Sequence, residues 1–312
     1  MDKIMTLYAN LHTHSTHSDG VYTPAEIAKI AYDEGYRAFA LTDHDTFTGN
    51  YEIKKECDKY GMECIYGTEF SSAEGYHLTA FHFDPTEPKI KEYLDQLSLK
   101  ETDQTRQLFE RGVKLGYLHD ITWDDVLEYN KGITWLCNDH VFRTLKSKGM
   151  ITDLEYPEFF ETLFGVHRDE VPEIYSFRPA KEIIDMVHNA GGIIFQAHPG
   201  KQLPRTPELI KLGIDGVEVW HKLNDAPTRR AALKLAREND LYVSGGSDHS
   251  GLCGGQYERY EHPEETEFWL PPITLGTTQY FYEEIRDMKK RADRFDVMDA
   301  LTQDDSLWVR IK

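Results

Sequence analysis

Leu11-His12-Thr13-His14-Ser15-Thr16-His17-Ser18-Asp19-Gly20 follows the first apolar run of the chain and sets two histidines and an aspartate just past its end. In a barrel of strands, residues at strand ends share one rim, where loops carry the chemistry. The arrangement recurs: Asp43 and His44 follow the run ending at Leu41, and Glu69 follows the run ending near Tyr66. Later runs add His198 in Gln196-Ala197-His198-Pro199, Glu218 and His221 after Val217, and Asp248 with His249 after Gly245-Gly246. His77 instead opens a strand-like run. A lone HxH is a weak signal, since two polar side chains in a loop give the same text. Recurrence at successive strand ends gives the pattern its force.

Working outward, apolar runs ending near Leu11, Leu41, Tyr66, Phe83, Ala197, Val219 and Val243 predict seven short strands. Most are separated by segments of helical period, and that alternation predicts a parallel barrel. Thr23, Pro24 and Glu26 predict a capped helix start, Gly35 its end, and Ile27, Ile30 and Ala31 its buried face. A second unit runs from Pro179 through Ile183, Ile184 and Val187 to Gly191-Gly192, and the strand Ile193 to Ala197 follows. From about Thr86 to Phe177 the pattern turns helical and aromatic. The expected organisation is therefore a discontinuous barrel (1–85 and 178–256), a helical cap (86–177) and a C-terminal extension packed on the barrel (257–312). A tight loop at Gly251, Gly254 and Gly255 and a helix near Tyr282 to Arg294 are expected in the last part.

At 312 residues the chain can bury a core without disulfides, and its four scattered cysteines suit a reducing compartment. It has no long apolar stretch and no signal-peptide pattern, so a cytoplasmic protein without a membrane span is expected. The net charge of −19 opposes binding of extended nucleic-acid duplexes, which need a basic track. A small phosphorylated substrate is compatible, because bound cations reverse the local field.

Imidazole and carboxylate ligands suit Zn, Mn or Fe, and a bridging carboxylate holds two ions together. Such a pair acidifies bound water, places the hydroxide in line with phosphorus and stabilises the displaced oxygens, which suits phosphate ester hydrolysis. His17, beside Asp19, is a candidate proton donor to the leaving oxygen. Asp43 and Asp45 fit the role of orienting a ligand histidine or capping a turn. Glu218 and His221 fit three readings: support for a ligand, contact with substrate, or plain polar residues at a strand end. Trp123, Trp135 and Phe142 have the spacing of helix core.

The motif set resembles the polymerase and histidinol phosphatase (PHP) family of metal-dependent phosphoesterases. The matching residues are His12-Thr13-His14 with Asp19-Gly20, Thr42-Asp43-His44-Asp45, Gly67-Thr68-Glu69, His77-Leu78, Ala197-His198-Pro199 and Gly245-Gly246-Ser247-Asp248, spread over residues 7 to 255. The resemblance implies an α/β fold, a distorted (β/α)7 TIM-like barrel with a mostly helical insertion, holding two or three divalent metal ions (Mn, Zn or Fe). It implies that His12, His14 and Asp248 hold one ion together with Glu69, which bridges to a second held by His77 and His198. Asp19 and His44 would serve a third. The family usually completes that site two places after the last aspartate, where this chain has Ser250, with His249 one place early. The resemblance also makes Glu69, His198 and Asp248 the catalytic core, and makes Arg143 and His140 in Asp139-His140-Val141-Phe142-Arg143 contacts for the substrate phosphate. Lys201 is a further candidate contact.

The expected activity is hydrolysis of a small phosphate ester, either a nucleotide-like monoester or a cyclic or terminal diester. Amidohydrolase-type chemistry is a rival, against which the absence of a bridging lysine at a strand end counts. A nucleotide-binding PHP module without catalysis is the other rival, against which the nearly full ligand set counts. Oligomeric state has no signature in the sequence.

Overall fold

A computed structural model describes residues 9–33, 36, 38–165, 177–221 and 223–248. Seven strands among them form one sheet in chain order: β1 (Ala9–Asn10), β2 (Ala38–Leu41), β3 (Glu63–Ser71), β4 (His77–Phe81), β5 (Ile193–Gln196), β6 (Gly216–Trp220) and β7 (Tyr242–Gly245). The two outer strands come together: Leu11 N donates to Gly245 O at 3.2 Å, and Asp248 N donates to His12 O at 2.8 Å. The result is a nearly closed barrel with helices around it, the distorted (β/α)7 form.

The expectation of an all-parallel sheet is corrected at one strand. β4 runs antiparallel to both β3 and β5, while the other neighbouring pairs are parallel. The cause lies in the connection. β3 continues past Tyr66 to Ser71, and only Ser72 to Tyr76 separate it from β4, too few residues for a crossover helix. Gly75, at φ 77°, supplies the left-handed turn. Glu69 therefore sits inside β3 rather than after it. The reversal also explains His77: the first residue of a strand running backwards lies at the rim where the parallel strands end, paired with Ser71.

The first helix, α1 (Pro24–Asp33), starts as its sequence dictates. Glu26 Oε2 accepts from Thr23 N at 2.8 Å, and Thr23 Oγ1 accepts from Glu26 N at 3.3 Å, the reciprocal capping box. Its buried face of Ile27, Ala28 and Ala31 packs with α2 (Gly49–Tyr60) through Ile53 and Cys57. Between β4 and β5 come α3 (Pro88–Leu115), α4 (Trp123–Tyr129), α5 (Asn138–Ser147) and α6 (Tyr156–Phe160), with no strand among the described residues there. Leu108, Phe109, Val126, Val141, Phe142 and Tyr156 form an apolar cluster of their own in that segment, with Trp123 against it. α7 (Ala180–Asn189) buries Ile183, Ile184 and Val187 before β5, and α8 (Thr206–Leu212) and α9 (Ala226–Glu238) cross over to β6 and β7. The expectations for Gly35, His249, Ser250, the loop at Gly251 to Gly255, the tail and its helix lie outside the described residues.

Candidate metal centre

Backbone conformation at the rim is unusual in three polar residues. Asp45, His198 and Asp248 all have positive φ, at 51°, 24° and 50°. Non-glycine residues in this region carry strain, which persists where surrounding contacts over-determine them. Close approach is also required where β7 ends, because a Cβ on Gly246 would lie 2.1 Å from the Cβ of His12. Only glycine lets the two strand ends meet here.

Glu69 is the hub of the cluster, fully buried with imidazoles on both of its oxygens. Oε2 lies 3.1 Å from His12 Nε2, 3.3 Å from His14 Nε2 and 3.3 Å from His44 Nδ1. Oε1 lies 2.9 Å from His198 Nε2 and 3.1 Å from His77 Nδ1. Asp248 Oδ1 joins the first set, 3.0 Å from His14 Nε2 and 3.7 Å from His12 Nε2. Asp19 stands behind it, 3.5 Å from His14 Nδ1.

The charges are tightly coupled. Burial alone would raise the Glu69 carboxyl, but His12, His44 and His77 hold it well below the usual carboxylate range. Burial alone would lower His14, yet Asp19, Asp248 and Glu69 raise it to about 9. His12 is raised against its burial in the same way, by Glu69, Glu218 and Asp248. His44, where burial dominates, falls to about 4.

Three buried atoms at the centre, His12 Nε2, His14 Nδ1 and Glu69 Oε2, make no well-aligned hydrogen bond despite their close charged neighbours. Orphaned buried polar atoms are costly, so their convergence calls for a further group. Four sets of side chains bring one ligand atom each within 4.8 Å: His12, His14, Glu69 and Asp248; His14, Asp19 and His44; His44, Glu69 and His77; and His12, Glu218 and His221. Nitrogen and carboxylate oxygen without thiolate is the donor set of hard to borderline divalent cations, and it fits a metal here.

The remaining candidates fall elsewhere. His17 contacts Thr48 Oγ1 at 2.9 Å and Glu52 at 3.8 Å, away from the hub. Arg143, buried on α5, donates to Gly20 O, to Ser18 O at 3.2 Å and to Thr16 O at 3.4 Å, and His140 Nε2 meets Thr16 O at 3.0 Å. Both therefore grip the loop that bears Asp19. Lys201 is exposed on a 3-10 turn, Gly200–Arg205, after His198. Asp43 organises the same loop as Arg143, accepting from Ser15 N and Ser18 Oγ at 2.6 Å each. Asp45 accepts from Ser71 N at 2.9 Å, and burial pushes it up to about 7. Sequence reasoning did not find the service of Ser15 and Ser18, whose only signal is their place between His14 and Asp19.

The family model of the PHP domain matches residues 10–191, more than half of the chain. The chain belongs to the PHP family. Within it, a 5'-3' exoribonuclease of Haemophilus influenzae is 31% identical over 80% of this chain and 92% of that protein. A phosphoribosyl 1,2-cyclic phosphate 1,2-diphosphodiesterase of Eggerthella lenta is 24% identical over 78% of this chain and 95% of its own length. A candidate metal-dependent phosphoesterase of Bifidobacterium adolescentis superposes with a TM-score of 0.71 at 26% identity, covering 93% of this chain and 98% of the other. Like its PHP relatives, the protein is a metal-dependent phosphoesterase. Among the described residues no helix is long and apolar enough to cross a membrane.

Proposed function

We propose that the substrate is a small phosphate ester, either a nucleotide-like monoester or a cyclic or terminal phosphodiester, hydrolysed at a centre of two or three divalent ions. The observation that carries this reading is the division of Glu69. One oxygen gathers His12, His14 and His44, with Asp248 beside them, and the other gathers His77 and His198. A carboxylate so placed suits bridging, with His12, His14 and Asp248 on one ion and His77 and His198 on the next. Asp19 and His44, with His14 between them, would hold a third. Ions of the Mn, Zn or Fe class bound there supply Lewis acidity that polarises phosphoryl oxygens and eases removal of a proton from water.

The protein's own groups do the orienting. Arg143 and His140 act through the loop they grip, fixing Asp19 toward His14, and residues 86–177 serve as the cap that delivers them. His17, tied to Thr48 and Glu52, anchors that loop and is less suited to proton transfer. The net charge of −19 disfavours long polyanions while leaving a metal-lined pocket attractive to a single phosphate. The diester relatives bring terminal and cyclic phosphodiesters within this class.

The test combines elemental analysis with a phosphate-release screen of nucleotides, nucleoside bisphosphates, cyclic phosphodiesters and short 5'-phosphorylated oligonucleotides. Turnover of one of the small esters with two or three ions per chain is expected. Strong preference for long RNA over every small ester would sink the substrate proposal.

A further inference from the structure

β6 sends two buried polar side chains toward the centre that are not among the ligands assigned above, Glu218 within the strand and His221 just after it. Their hydrogen bonds fix which ring nitrogen carries the proton at two histidines. A neutral imidazole has one N–H and one lone pair. Leu223 N donates to His221 Nδ1 at 3.1 Å, and since a backbone N–H only donates, that bond consumes the lone pair. The proton therefore sits on Nε2, which faces Asp248 Oδ2 at 3.2 Å. A nitrogen that bears a proton cannot ligate a cation, so His221 is a donor to Asp248 rather than a ligand beside it.

His12 has the opposite arrangement. Its Nδ1 lies 3.1 and 3.3 Å from the two oxygens of Glu218, and a carboxylate only accepts. Once His12 is neutral, as a ligand must be, Nδ1 holds the proton and the lone pair of Nε2 is turned toward Glu69 and Asp248. Glu218 Oε2 also accepts from His198 N at 2.7 Å, holding a backbone whose φ is positive.

We propose that Glu218 and His221 are positioning residues of the metal centre: Glu218 fixes the tautomer of His12 and the backbone of His198, and His221 engages Asp248 Oδ2 so that Oδ1 faces His12 and His14. The inference rests on the ligand assignment of the preceding subsection. Through it one strand braces both sides of the hub, reaching His12 and Asp248 on one oxygen of Glu69 and His198 on the other. Outer partners of this kind orient ligands, and their loss weakens metal binding without removing a ligand.

The experiment titrates metal-stripped full-length protein with Co(II), reading affinity, visible absorption and ion count. His221→Ala and Glu218→Gln are each expected to weaken cobalt binding by about 10–100-fold, with an unchanged count at saturation and an unchanged melting temperature of the metal-free protein. His221→Gln, whose amide N–H can again reach Asp248, is expected to recover most of the affinity. A missing ion at saturation in His221→Ala would make His221 a ligand and overturn the proposal, as would unchanged affinity in both variants. Histidine 15N spectra of the zinc-loaded wild type need no folded variant: a proton on Nε2 of His221 and on Nδ1 of His12 is expected, and the reverse pair overturns it. Failure of the ligand assignment is read separately, as full cobalt affinity in Glu69→Gln.

Discussion

The two oxygens of Glu69 face surroundings of different depth. On the Oε2 side the rings of His12 and His14 are 1% and 0% exposed, with His44 and Asp248 at its edge at 19% and 21%, whereas on the Oε1 side both histidines, His77 and His198, are 38% and 20% exposed. The deep side is built from β1 and the end of β7, sealed by the glycine that lets them meet. The shallow side is built from the start of β4 and the end of β5. An ion held by His12 and His14 would be shielded, while one held by His77 and His198 would be reached first by water and substrate. The difference would give structure to one side and access to the other.

Removing the hub breaks both sides at once. Glu69→Gln should lower kcat by about 10³-fold, equivalent to several kcal/mol of lost charge stabilisation, with the metal-free fold retained because the side-chain volume hardly changes. Steady-state kinetics beside the melting curve measures this, and an active variant with full metal content would falsify the bridge. Single-sided changes sharpen the contrast. His77→Ala should release the weaker ion and leave the deep one bound, whereas His14→Ala should cost the deep ion, each loss exceeding the roughly 10–100-fold expected when only a partner of a ligand is removed. Elemental analysis after dialysis distinguishes them, and equal losses from both variants would erase the distinction between the sides.

Acidity offers a gentler probe. His14 is raised to about 9 by Asp19, Asp248 and Glu69. In the metal-free protein the stability from this raised histidine is fully present below its unfolded value near 6.5 and is lost as pH rises through about 9. Metal binding has the opposite sign, because a cation must displace that proton. Affinity of the deep side should therefore climb by at least about tenfold per pH unit between about 6.5 and 9, more steeply where His12 also gives up a proton, measured by calorimetric titration at several pH values; a flat profile would contradict the raised histidine.

The smallest effect is expected at Arg143. Its guanidinium reaches the carbonyls of Thr16, Ser18 and Gly20 together, and a lysine ammonium cannot match that fork. Arg143→Lys should lower kcat about tenfold with a smaller change in KM, since the loop bearing Asp19 loosens. A rise in KM alone would instead mark Arg143 as a direct phosphate contact.

Much of the centre was legible in the sequence because polar residues were confined to strand ends, where apolar runs stop abruptly. His12, His14, His44, Glu69, His77, His198 and Asp248 could all be singled out, and the capped start of α1 was visible in Thr23 and Glu26. The direction of β4 was not. Gly67, Thr68 and Glu69 end the apolar run of β3 at Tyr66, so the sequence pattern stops short of the strand's true end at Ser71 and of the hairpin that follows. A charged residue inside a buried strand defeats apolar patterning for the same reason that it serves the centre. The roles of Glu218 and His221 were equally hidden, since proton placement depends on partners such as Leu223 N that no spacing rule reveals. Arg143 was found by motif but its partners were not, because backbone carbonyls leave no trace in residue identity.

The reversed strand also bears on the order in which the centre assembles. Glu69 and His77 are eight residues apart and joined by a hairpin, so their meeting closes a short loop. His14 and Asp248 are 234 residues apart and meet only when the first and last strands of the barrel come together. Loop-closure entropy grows with that separation, and non-local pairing is slow. The Glu69–His77 contact is expected to form early in folding and the His14–Asp248 contact last, an order that pulsed hydrogen exchange at the β3–β4 and β1–β7 amides would reveal and simultaneous protection would refute.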